Sequence, residues 1–131
     1  IINELKRDRS SRRAIAPTWI PPIDEKTANS PCLMNFHCFI RDDILIGICN
    51  YRSHDIFGAY PANSYGLAGM LEYIGDRLNC PTGSLTFFSE SAHIYQYDWP
   101  KVASIIGSEA PMPVAKQKEE QAKALREWRR H

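Results

Sequence analysis

The sequence predicts an α+β fold: a mixed, largely antiparallel sheet with a helix on one face and the other face buried in a dimer. Three observations predict it. Two runs, CLMNFHCFI (32–40) and ILIGICNYR (44–52), carry bulky apolar residues on successive positions, as strands covered on both faces do. Only RDD separates them, so they pair as a hairpin. The segment NSYGLAGMLEYIGDRL (63–78) sets Leu67, Met70, Leu71, Ile74 and Leu78 at helical spacing, with Asn63 or Ser64 as N-cap. That helix covers one sheet face. A two-fold interface between copies is the commonest way to bury the other.

The remaining elements follow in order. Residues 1–9 read as a helix end, with Ile2 and Leu5 on one side. SSRR (10–13) is a polar hinge. AIAPTWI (14–20) is a strand interrupted by Pro17, which confines it to an edge or a bulge. PPIDEKTANSP (21–31) is a loop by composition. After the helix, CPTG is a turn and SLTFFS (84–89) a buried strand. PKVASIIG (100–107) is a short helix, and VAKQKEEQAKALREWRRH (114–131) a charged helical tail with a solvated or interface role. No internal repeat is visible.

Composition bounds the function. With 131 residues, one domain spanning 1–131 is expected, and 44% apolar residues supply one core. A net charge of +1 gives no signal for nucleic acid or an anionic membrane. No apolar run approaches the roughly 20 residues of a spanning helix. The start, IINELKRDRSSRR, lacks an initiator Met and the apolar stretch of a secretion signal, so a fragment boundary is expected. Cys32, Cys38, Cys49 and Cys80 form no C-x-x-C pair and fit no zinc module, so no metal is expected. A reducing, cytoplasmic setting follows.

The chemistry concentrates in NYRSHDIFGAYPANSYG (50–66). Turns need Gly, Pro, Asn or Asp for geometry, but not Arg-Ser-His-Asp in a row. Ser53, His54 and Asp55 cannot form a catalytic triad, because neighbours on an extended chain point to opposite faces. With residues 41–43 as the hairpin loop, Ile40 opposes Ile44 and Cys32 opposes Arg52. Opposed side chains lie about 5 Å apart. A guanidinium beside a partly exposed thiol favours the thiolate, and its other donors suit a phosphate or carboxylate.

Four blocks, SRR (11–13), PC (31–32), YRSHDIFGAYPAN (51–63) and HIY (93–95), together resemble thymidylate synthase in order and spacing, over roughly residues 8–97. The resemblance is to that family's C-terminal, cysteine-containing part, in an archaeal-type or hydroxymethylase-like form. It implies two sheets stacked back to back in a homodimer, and a missing N-terminal part. It implies one-carbon transfer from 5,10-methylenetetrahydrofolate or a related methylene-pterin to C5 of dUMP, giving dTMP. Cys32 would add to C6, and Arg52 would bind the phosphate and activate Cys32. Ser53 would donate to the phosphate, and Arg12 and Arg13 would reach across the dimer to the other subunit's phosphate. Asn63 would read O4 and N3–H of uracil, where an Asp would suit cytosine. His93 and Tyr95, on one face of a strand, would hold the 3′-hydroxyl, and Asp55 would sit near the pterin. The alternatives are a dUMP or dCMP hydroxymethylase and a truncated, non-catalytic nucleotide-binding paralog. The chain departs from the family at Ser89, Glu90 and Ser91, where Gly-Gly-Asp is usual, and at Tyr51, where Gln is usual.

Overall fold

The structure, a computed structural model, describes residues 1–109 and 113–128. The chain divides into two compact units, Ile1–His93 and Ile94–His131.

The first unit is built on a four-stranded sheet. Its strands are β1 (Ile15–Pro17), β2 (Leu33–Arg41), β3 (Ile44–Tyr51) and β5 (Thr82–Ser89), in the order β1-β2-β3-β5. The first two pairings are antiparallel, and β5 runs parallel to β3 after a crossover through α3 (Tyr60–Leu78). The mixed, largely antiparallel sheet expected from the sequence is present. A small parallel pair joins β4 (His54–Asp55) to β6 (Ala92–His93). Helix α1 (Ile2–Arg7) buries Leu5 completely, and α3 packs against β3 and β5.

The core lies between the sheet and α3. Phe36, Cys38 and Ile40 of β2 and Leu45, Cys49 and Tyr51 of β3 meet Leu67, Leu71, Ile74 and Leu78. Each fully buried leucine is worth roughly 1.5–3 kcal/mol of transfer energy. Gly47 permits the close approach of α3: a Cβ there would lie 2.8 Å from Leu85 and 3.1 Å from Leu71. The other sheet face, with Asn35, His37, Phe39, Ile46 and Ile48, is only half-buried. Within the described residues of the first unit, β2 and β3 are therefore covered on one face rather than both.

Other expectations shift. Edge strand β1 is short and ends at Pro17, whose missing N–H cannot extend a ladder. The 21–31 segment holds a one-turn helix, α2 (Pro21–Asp24), which proline initiates and where the Asp24 carboxylate accepts from the Ile20 N–H. Helix α3 starts at Tyr60, three residues before Asn63, so Asn63 lies in its first turn and caps nothing. Strand β5 is an edge strand that alternates between exposed and half-buried positions, and Phe88 is 59% exposed, so it is not the buried strand expected.

The hairpin register differs by one at the turn. Asp42 and Asp43 form a two-residue turn with φ of 49° and 58°, the left-handed pair that matches strand twist. Arg41 therefore pairs with Ile44, and Ile40 with Leu45 instead of Ile44. A bulge between Leu33 and Asn35 then shifts the register back, so that Leu33 pairs with Tyr51. Beyond it the Arg52 N–H donates to the Cys32 carbonyl at 3.0 Å. Cys32 and Arg52 do face each other, through an irregularity that a uniform hairpin lacks.

The second unit contains a 3-10 turn (Gln96–Asp98), α4 (Trp99–Ile106) and α5 (Val114–Trp128). Gly107, with φ of 67°, ends α4 in the left-handed conformation that favours glycine. The tail's side chains from 124 on, and with them the REWRRH reading, lie outside the described residues. No described helix is long and apolar enough to cross a membrane.

Candidate active site

The bulge turns the start of β2 toward the end of β3, and the first turns of α3 close over both. A cavity of about 420 Å³ opens there, lined among others by Thr18, Cys32, Tyr51, Asn63 and Gly66. Cys32 is exposed, whereas Cys38, Cys49 and Cys80 are buried. Burial pushes the Cys38 thiol up to about 12 and the Cys49 thiol to about 11. Those two stay protonated near neutral pH, which leaves Cys32 as the accessible sulfur of the four.

Arg52 grips the chain leading into Cys32. Its Nε donates to the Pro31 carbonyl at 2.9 Å, and one terminal nitrogen donates to the Ser30 carbonyl at 2.8 Å and the Ser30 hydroxyl at 3.1 Å. The guanidinium carbon sits 5.3 Å from the centre of the Trp19 ring. Sequence reasoning aims this cation at the thiol; the structure aims it at the two carbonyls before the thiol. Among the described residues the other terminal nitrogen, Nη1, has no hydrogen-bond partner, so the fork keeps donors for an anion.

Around this pair the RSHD corner divides its labour. Ser53 is half-buried in the bend between β3 and β4. His54 is buried, with Nδ1 2.7 Å from the Ser89 hydroxyl. Asp55 builds the turn into α3: Oδ1 accepts from the N–H groups of Phe57 at 3.2 Å and Gly58 at 3.0 Å. A Cβ at Gly58 would lie 2.4 Å from Asp55 Oδ2, so a larger residue there would push the carboxylate aside. Asn63 is half-buried on the cavity wall, its own backbone N–H satisfied by the Ala59 carbonyl at 3.0 Å. His93 pairs with Asp55 in the β4–β6 ladder, and its carbonyl accepts from the Ile56 N–H at 2.9 Å.

Two expectations fare differently. Strand β6 ends at His93, and Tyr95 precedes the 3-10 turn in the second unit, so strand alternation does not set the two on one face. Tyr95 stacks on Tyr97 with ring centres 5.3 Å apart. Arg12 and Arg13 are exposed on the 10–13 loop and do not line the Cys32 cavity. They border a separate cleft of about 370 Å³ with Asp8, Ser10 and Ser11. Arg13 Nε lies 3.5 Å from Glu4 Oε1. Hydrogen bonds from Arg7 and Ser11 hold the Glu4 carboxyl at about 2.

Sequence reasoning gave Tyr51 and Trp19 no place near Cys32. The signal for Tyr51 was present: it lies two residues from Cys49 on the core-facing side of β3 and one before Arg52. Trp19 gave none, because its contact depends on the edge strand.

The fold has a solved counterpart. The thermostable thymidylate synthase A from Bacillus subtilis superimposes with a TM-score of 0.74 at 22% identity, over 84% of this chain and 40% of that one. The thymidylate synthase family model matches residues 1–130, and the chain belongs to that family. It is 47% identical over 106 residues to a curated protein of Methanosarcina barkeri named "Putative thymidylate synthase", covering 81% of this chain and 49% of the relative. A Methanothermobacter thermautotrophicus protein of the same name is 36% identical over 105 residues, covering 80% and 47%. The chain thus spans about half the length of the curated relatives it matches.

Proposed function

We propose that this chain carries the nucleotide-binding and nucleophilic part of a thymidylate synthase, which transfers a one-carbon unit to C5 of dUMP and yields dTMP. The observation that carries the reading is the shared cavity that exposed Cys32 and Asn63 both line, with the Arg52 N–H bonded to the Cys32 carbonyl.

The Cys32 thiolate adds to C6, forming an S–C6 bond and moving the C5=C6 electron pair onto C5 and the C4 carbonyl. A soft thiolate suits an addition that must later reverse. C5 then has nucleophilic character. Loss of its proton and departure of sulfur restore the ring double bond. Arg52 and Ser53 hold the phosphate, and Asn63 matches O4 with its amide donor and N3–H with its carbonyl. His93 holds the sugar 3′-hydroxyl. The methylene-pterin, when bound, supplies the one-carbon unit and, for methylation, a hydride. Asp55 fits a role toward it, since its Oδ2 has no hydrogen-bond partner among the described residues while Oδ1 is fixed in the turn.

The half-buried second face of the sheet supports a homodimer, with Arg12 and Arg13 completing the other subunit's phosphate site. Four free thiols suit a reducing cytoplasm.

The test gives the full-length protein dUMP and 5,10-methylenetetrahydrofolate and weighs the product by mass spectrometry. dTMP is expected. 5-Hydroxymethyl-dUMP would replace this reading by the hydroxymethylase, and no product would leave a binding protein. In the same assay dUMP should outcompete dCMP, and Asn63→Asp should reverse that order by tenfold or more, on the order of what matched polar groups enforce. An unchanged order would remove Asn63 from base recognition.

A further inference from the structure

We propose that Tyr51 is a substrate-contacting residue, its phenol hydrogen-bonding the pyrimidine ring, and that His54 and Ser89 are positioning residues that hold it. This rests on the reading of the cavity as a pyrimidine-nucleotide site.

Tyr51 is 3% exposed, yet it lines the cavity with Cys32 and Asn63. Among the described residues its hydroxyl has no hydrogen-bond partner, although it is not sealed from solvent as the orphaned nitrogens of His37 and His54 are. A nearly buried phenol whose one polar atom lacks a protein partner at a cavity wall is a group kept for an occupant. Burial, and after it the nearby Cys49 and Cys32, push the phenol above its ordinary pKa. It therefore stays protonated and can donate to a ring carbonyl.

The ring is held more firmly than core packing alone requires. His54 lies parallel to it, with ring centres 3.8 Å apart and planes 1° apart. His54 is 1% exposed and is fixed by the Ser89 hydroxyl at 2.7 Å from Nδ1. Tyr60 meets the imidazole edge-on at 5.3 Å, and Tyr60 opens the helix that carries Asn63. The backbone locks the same parts: Ser89 pairs with Tyr51 across β3 and β5, and the Glu90 N–H donates to the Tyr51 carbonyl at 2.9 Å. Whichever tautomer is present, His54 Nε2 is buried without a partner among the described residues. Burial also pushes the imidazole pKa down, so the ring stacked on the phenol is neutral at neutral pH. The stack thus fixes the phenol without setting a charge beside it.

The experiment measures dUMP binding to the full-length protein by calorimetry, with 2-deoxyribose 5-phosphate as a ligand that lacks the base. Tyr51→Phe keeps the ring and removes the oxygen. It should weaken dUMP binding roughly tenfold, the scale of one lost hydrogen bond in a shielded site. Binding of the sugar phosphate should not change. Ser89→Ala should weaken dUMP binding about threefold at an unchanged unfolding temperature, and Ser89→Thr should restore it. Equal dUMP affinity in wild type and Tyr51→Phe would overturn the role of Tyr51 and leave the proposed function standing. An equal loss for both ligands would mark a general collapse of the cavity and would also overturn it. Ser89→Ala with full affinity, or a loss that Ser89→Thr does not repair, would overturn the positioning role. A wild-type protein that binds no dUMP would overturn both readings.

Discussion

The hairpin of β2 and β3 has two unlike ends. At one end Asp42 and Asp43 turn the chain in two left-handed residues, and the ladder runs regularly from Arg41–Ile44. At the other, the bulge between Leu33 and Asn35 breaks the ladder, and Cys32 and Tyr51 line a cavity while Arg52 pairs with Cys32 through the backbone. The turn end sets which residues face the core, because a slip of one would reverse every side chain. The bulged end spends that regularity to bring Cys32 opposite Arg52. One end of the hairpin specifies the fold, and the other spends regular pairing on a site.

Substitutions at the two ends should separate these roles. The largest effect is expected at Arg52. Arg52→Ala removes both the grip on Ser30 and Pro31 and the Nη1 donors proposed for the phosphate. Charge-assisted hydrogen bonds are worth about 1.5–3 kcal/mol each, so losing two should weaken dUMP binding by at least about a hundredfold. Arg52→Lys should recover little, since a point charge cannot reproduce the fork. Titration calorimetry decides it, and near-normal binding by the lysine variant would mean that charge alone suffices. At the turn end, Asp43→Gly relieves a left-handed residue of its Cβ and should raise stability by up to about 1 kcal/mol. Thermal unfolding should show the gain while dUMP affinity stays the same. A change in affinity would mean that the turn register reaches the site.

The sequence made the site easier to read than its geometry. The four strands of the main sheet, α3 and α4 follow from apolar spacing and from the punctuation of Gly and Pro. The corner was legible because Arg52, Ser53, His54 and Asp55 exceed what a turn needs. The bulge was not, since Met34 in an apolar run carries no mark of a missed pairing. The start of α3 was misplaced because Asn63 is a good cap by type, while Pro61 and the Asp55 turn fix the helix three residues earlier. Strand spacing suggested a shared face for His93 and Tyr95, but β6 stops at His93. The second face of β2 and β3 read as buried because apolar type reports a need for cover, whether or not the same chain supplies it.

Cys32 tests the account most directly, because it is the exposed one of four cysteines and everything at the bulged end is arranged around it. Tritium release from 5-tritiated dUMP by the full-length protein reports addition at C6, since only that addition labilises the hydrogen at C5. The account predicts release by the wild type and its loss in Cys32→Ala, while dUMP still binds. Release that persists in Cys32→Ala would contradict it.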